Sequence, residues 1–127
     1  MQPTITAASA SVSAVGQAHA AREAPELPLP RMPGMTKLSS SAEFDAETDT
    51  WKLKAAYRVN AHVPHVLAFY RKALENEALA VEDIPPAGED DPYVLLGRND
   101  TVRAQVGIRT KPHELETRVW LFWRVRA

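Results

Sequence analysis

Four histidines, no cysteine and 15 Lys or Arg residues define the side-chain chemistry open to this chain. His62 and His65 stand at i and i+3, which puts two imidazoles on one side of a helix, where they could supply two metal ligands. Zinc needs at least a third, no neighbouring Asp, Glu or His supplies it, and His113 is a remote candidate. The expectation is two solvent-facing histidines at a helix end, with no metal and no cofactor. The lack of cysteine removes thiol catalysis, Cys-based zinc or iron–sulfur sites and disulfides. Glu89-Asp90-Asp91 lacks the spacing and the glycine of a calcium loop. Five glycines, none clustered, make no phosphate-cradling loop. Ser39-Ser40-Ser41 has no nucleophile-elbow context. Glu75 and Glu77 point to different sides of a helix and do not form a carboxylate pair. Asn99-Asp100-Thr101 matches a glycosylation acceptor in form. The expectation is a protein that is not an enzyme.

The elements follow from periodicity. Trp51, Leu53, Ala55, Tyr57 and Val59 alternate with Lys52, Lys54, Ala56 and Arg58, the period of a half-buried strand. Val66, Phe69, Tyr70, Ala73 and Leu74 recur on one helix face. Asn60 or His62 would start that helix, Pro64 suits its first turn, and it should stop near Leu79. A short segment over residues 80–84 follows. Tyr93-Val94-Leu95-Leu96 reads as a strand. Gly97-Arg98-Asn99-Asp100 has hairpin chemistry, because Asn and Asp tolerate left-handed backbone angles. Val102, Ala104, Val106 and Ile108 alternate with polar residues, Lys111-Pro112-His113-Glu114 makes a second turn, and residues 117–125 form the last strand. The expected fold is α+β: one amphipathic helix on a mostly antiparallel sheet of four to five strands, in the order β-α-β-β-β-(β).

The 127 residues leave room for one such domain plus a tail. Residues 1–40 are expected to be a flexible arm and residues 41–127 the domain. Ala and Ser dominate residues 1–21 and bury too little surface to offset backbone ordering of about 1–2 kcal/mol per residue. Pro25, Pro28, Pro30 and Pro33 then suggest an extended linker. Ala18-His19-Ala20-Ala21 has the small-x-small form of a signal-peptidase site, yet no Lys or Arg precedes Arg22, so a tail is the favoured reading. No apolar run reaches the roughly 18 residues of a membrane-spanning helix.

If the apolar side of each strand faces the helix, the other side collects Lys52, Lys54, Arg58, Arg103, Arg109, Arg118, Arg124 and Arg126, eight of the 15 basic residues. Trp120 and Phe122 lie among them. The acidic residues fall elsewhere, at 43–49, 82–83 and 89–91, so a net charge of −1 hides a dipole. Aromatic rings exposed on a sheet call for a cover. That cover could be the chain's own tail, a second copy, a partner protein, an anionic polymer or a nucleic acid. The expected function is a non-catalytic binding or assembly module using this face on a partner protein, itself or an anionic polymer. A nucleic-acid-binding protein using the same face is the alternative.

The residues Pro30-Arg31-Met32-Pro33-Gly34-Met35, then Tyr57 with Val59, then Val66-Leu67-Ala68-Phe69-Tyr70-Arg71-Lys72-Ala73-Leu74 resemble small bacterial domains of largely unassigned function, often found on lipoproteins and envelope-anchored proteins. Those domains carry a Pro-Gly-Ala entry, a strand, and a Phe-Tyr-x-x-x-Leu helix followed by Gly-Trp. The similarity spans roughly residues 28–126. Here Met35 replaces the Ala after Pro-Gly, Ala78-Leu79 stands where Gly-Trp is usual, and no lipoprotein Cys is present. The resemblance implies a non-enzymatic module in the periplasm or cell envelope rather than the cytoplasm. It carries no site residues to transfer.

Overall fold

The chain after Pro25 runs through six strands and one helix in the order β-β-α-β-β-β-β. A computed structural model describes residues 23–110 and 116–127. The strands are β1 (Thr36–Asp45), β2 (Thr50–Val59), β3 (Ala80–Ile84), β4 (Tyr93–Arg98), β5 (Val102–Thr110) and β6 (Thr117–Arg126), with helix α1 (Val63–Asn76) between β2 and β3. They form one antiparallel sheet in the order β1-β2-β6-β5-β4-β3. Among the described residues the fold class is therefore α+β with one helix, as the periodicities predict, but with six strands instead of four or five.

The additional strand is β1. Ser39-Ser40-Ser41 reads as linker because serine has little strand preference, and eight of its ten residues are exposed. Tertiary pairing with β2 overrides that local signal. The expected arm over residues 1–40 also needs correction. Leu29 and Met32 are buried in the core, and Leu27 and Met35 pack against it. The Tyr70 hydroxyl donates a hydrogen bond of 2.9 Å to the Pro30 carbonyl. Pro33-Gly34 then turns the chain into β1. Gly34 has φ +83°, and Met35 N–H reaches the Met32 carbonyl at 3.2 Å. That is the arrangement of a type II turn, with Pro first and Gly second. Residues 27–35 thus act as a strap on the sheet face that α1 also covers. Residues 1–22 of the predicted tail, and the turn at residues 111–114, lie outside the described residues.

β2 and β3 are four places apart in an antiparallel sheet, so they run parallel and the chain must cross back over the face between them. Helix α1 makes that crossing, buries Val66, Leu67, Tyr70, Ala73 and Leu74, and packs on β5, β4 and β3. Gly97 on β4 lets it come close, since a Cβ there would meet Leu79 and Leu74 side-chain carbons at 3.1 and 3.3 Å. His62 is the N-cap residue and Pro64 sits in the first turn. Outside the core contact, Arg71 pairs with Asp83 of β3, which also accepts the Tyr93 hydroxyl at 3.0 Å. That hydrogen bond to Asp83 holds the Tyr93 phenol above its ordinary pKa. Burial beside Tyr57 pushes the Tyr70 phenol up as well.

The helix ends earlier than the expected Leu79. Glu77 is the C-cap, and Ala78 follows at φ +60°. Ala78 N–H bonds to Glu75 O at 2.9 Å and Leu79 N–H to Leu74 O at 3.2 Å. This double closure is the Schellman motif, in which glycine usually takes the left-handed position. Left-handed backbone costs an L-residue about 1–2 kcal/mol that glycine avoids. The β4–β5 turn differs in mechanism from the expected one. Asn99 and Asp100 are not among the residues with positive φ. Instead the Asn99 side-chain oxygen accepts Thr101 N–H and Val102 N–H, both at 2.8 Å.

Two outcomes are expected in urea unfolding. Ala78→Gly raises stability by about 0.5–1 kcal/mol, from relief of the left-handed strain offset by glycine's chain entropy. Leu29→Ala and Met32→Ala each lower it by about 2–5 kcal/mol, the cost of truncating core side chains, where a loose arm would give no change.

Candidate binding face

Alternation along the paired strands decides which side chains reach the uncovered side of the sheet. On β6, Val119, Leu121 and Trp123 are buried toward α1 and the strap. Arg118, Trp120, Phe122, Arg124 and Arg126 therefore project the other way. The pairing extends this phase to β2 and β5. Arg118 faces Arg58 and Arg109, and Arg124 faces Lys52 and Arg103. All ten residues singled out in the sequence, namely Lys52, Lys54, Arg58, Arg103, Arg109, Arg118, Trp120, Phe122, Arg124 and Arg126, share this outer face.

Register arranges the face in rows across the strands. One row runs Lys52, Arg124, Arg103, Arg98, each the cross-strand neighbour of the next. A second runs Arg58, Arg118, Arg109. Between them lie a mainly apolar row, Ala56, Trp120, Gly107, Val94, Ile84, and a mixed row in which Phe122 and Leu96 stand with Lys54, Gln105 and Glu82. Trp120 is 43% exposed, against 5% for Trp123 on the opposite side. Its indole leans over Gly107, where a Cβ would lie 3.5 Å from the ring edge. Phe122 is half-buried, so it contributes a flank and not a second free ring. Ser39, Ala56, Val94 and Gly107 join the two aromatics in lining an open groove of about 750 Å³.

The electrostatics of this face are one-sided at the centre and mixed at the edges. No carboxylate from the four central strands projects there. Glu43 and Asp45 of β1 and Glu82 of β3 do share the face, which corrects the expectation that the acids lie wholly elsewhere. Lys52 meets Asp45 at 3.9 Å, Arg58 meets Glu116 at 3.6 Å and Arg109 meets Asp90 at 3.6 Å. Hydrogen bonds to its carboxylate from the Glu47 and Thr48 backbone, with Lys52 nearby, outweigh desolvation and hold Asp45 below its usual pKa. Lys54, Arg98, Arg103, Arg118, Arg124 and Arg126 have no ion pair among the described residues. Arg109 Nε is buried without a hydrogen-bond partner there. Arg103, Arg124 and Arg126 converge with Thr50 on a polar recess of about 300 Å³ beside the 99–101 turn.

Sequence reasoning missed Arg98, Val94, Leu96 and Ile84. Arg98 reads as a turn residue, and Val94-Leu95-Leu96 has no alternation to set its phase. Only the register, with Leu95 opposite Val106, turns Val94 and Leu96 outward. Elsewhere, no group of three His, Asp or Glu able to hold a metal occurs among the described residues, and His113 lies outside them. No helix among them is long and apolar enough to cross a membrane.

The two tryptophans three residues apart give a direct check of the strand phase. Trp123→Ala should cost about 3–5 kcal/mol in chemical unfolding, as for a core aromatic. Trp120→Ala should cost no more than about 1 kcal/mol, since little of its burial is core packing.

Comparison with known protein families, characterised proteins and solved structures gives no match to this chain, so the outer face must be read from its own chemistry.

Proposed function

We propose that this chain is a non-catalytic binding or assembly module that holds an anionic partner on the outer face of its sheet. The observation that carries this reading is the pair of cationic rows. Like charges directly opposite one another on a sheet are destabilising. Here five cross-strand neighbours are both cationic: Lys52–Arg124, Arg124–Arg103, Arg103–Arg98, Arg58–Arg118 and Arg118–Arg109. Each hydrated pair opposes folding by up to about 1 kcal/mol at low salt. A solvated polar face of mixed sign would avoid that repulsion and gain cross-strand ion pairs. An anionic partner removes it and supplies the missing counter-charges. The apolar groove between the rows adds burial, so charge need not supply all the affinity. In the envelope setting implied by the resemblance of residues 28–126, the partner is a protein or an anionic polymer. A nucleic acid is the alternative, favoured by the exposed Trp120 ring among cations.

Binding of labelled poly-glutamate, heparin and a single-stranded oligonucleotide should be measured by fluorescence anisotropy at about 50 and 200 mM salt. At least one probe is expected to bind at the lower salt and weaken at the higher. Arg103→Glu with Arg124→Glu should reduce that binding at least tenfold while the unfolding midpoint holds or rises. Failure of all three probes to bind at low salt overturns the reading.

A further inference from the structure

We infer that the outer face docks an acidic amphipathic helix of a partner protein, laid across the strands between the two cationic rows, over Trp120 and Phe122. This rests on the reading of that face as an anion-binding surface and narrows it to one kind of partner.

The dimensions of the face set the shape of what covers it. Arg118 and Arg124 are six residues apart on β6, about 20 Å along a strand. An α-helix with its side chains is about 10–12 Å across. Lying between the rows, it leaves about 4–5 Å on each side, the span of a carboxylate meeting a guanidinium. The apolar row crosses five of the six strands, from Ala56 on β2 through Trp120, Gly107 and Val94 to Ile84 on the edge strand β3. Six strands at about 4.8 Å make some 24 Å from edge to edge, the length of about 16 helical residues. Ala56 beside Trp120 leaves low ground into which an apolar stripe can settle, while the indole covers the buried Gly107 on the other side.

The pattern of charge sets its chemistry. Cations border the apolar band on both sides, so the complementary surface is an apolar stripe with carboxylates on both borders. A helix with Leu or Ala along one stripe and Glu or Asp flanking it has that pattern. A single nucleic-acid strand carries its phosphates on one backbone, and it gains affinity from exposed rings. Here Trp120 is the only aromatic among the large exposed hydrophobics of the described residues, and Val94, Leu96 and Ile84 are aliphatic. A second copy would bring the same cations face to face. Residues 1–22 contain no Asp or Glu, so that segment cannot supply the counter-charge. The sheet has a helix on one face already, and a helix from a partner would complete a three-layer arrangement.

The test uses the full chain and fluorescein-labelled synthetic peptides of about 18 residues, four to five turns. One peptide has a Leu stripe bordered by Glu on both sides. A second has the same composition in scrambled order, and a third replaces the Leu stripe by Ser. Poly-glutamate and a single-stranded oligonucleotide serve as charge-only and nucleic-acid probes. The striped peptide should bind at least tenfold more tightly than each of the other four. Trp120→Ala and Arg118→Glu should each weaken it at least fivefold. Because the scrambled and Ser peptides need no change to the protein, the comparison stands even if a variant fails to fold. Equal binding of scrambled and striped peptides overturns the helix inference and leaves an anion-binding face. Tighter binding of the oligonucleotide also overturns it, in favour of nucleic acid. If no probe binds, the anion-binding reading falls with it.

Discussion

The register of β6 decides which side chains each side of this sheet carries. β6 pairs along its whole length with β2 and over nine residues with β5, so three strands share one phase. A slip of one residue would exchange the two sides: Arg118, Trp120, Phe122 and Arg124 would turn toward α1, and Val119, Leu121 and Trp123 toward water. Burying several unpaired guanidiniums against Leu74 and Tyr70 would cost several kcal/mol for each ion. The alternative register is closed by that penalty more than by any single favourable contact. Thr117 helps pin the strand, since its buried hydroxyl donates to the Ala61 carbonyl and meets Thr110 Oγ1 at 2.8 Å.

With the phase fixed, the inner face is too wide for one helix of 14 residues. α1 reaches β5, β4 and β3, and leaves the β2 side for the strap. Leu29 and Met32 fill that side, and the Tyr70–Pro30 hydrogen bond joins the two covers. Arg31 lies 5.6 Å from the Tyr57 ring centroid, so even the charged member of the strap rests on the core's aromatic edge. Prolines suit this role because an extended segment fixed at three or four positions loses less entropy on docking than a flexible one. The strap is thus a structural layer made without regular secondary structure.

The fold was legible where periodicity is strong and opaque where pairing alone makes the element. β2, β5, β6 and α1 announce themselves through alternation or a helical stripe, and most of their buried residues are those the pattern predicts, although Leu67 is buried in place of Phe69 and Trp51 is only partly so. β1 is different. Ser39, Ser40 and Ser41 carry no apolar signal, and the strand exists because the backbone of β2 offers it a ladder. Leu29 and Met32 sit among prolines with no period to read, so their burial depends on a partner surface far away in sequence. For the binding face, the phase of β6 gave the ten expected residues their common side. Arg98 and the aliphatic members of the apolar row could not be found that way, because a run such as Val94-Leu95-Leu96 is apolar on both sides. Their placement comes only from the match of β4 to β5.

The distribution of charge then separates solubility from recognition. Net charge is −1, so the chain has one more acid than it has Lys and Arg, enough to neutralise every cation. On the outer face it places them at the margins, Glu43, Asp45 and Glu82, with Glu89, Asp90 and Asp91 in the loop before β4. Solubility alone would be served as well, with less repulsion, by acids alternating with Arg103, Arg118 and Arg124 on the central strands. Concentrating like charge around an apolar groove weakens the free protein and strengthens its field at one location. Such an arrangement gives a net gain only when something of opposite charge and matching apolar shape covers it. On the proposed reading, the central rows serve recognition and their repulsion is its cost to folding.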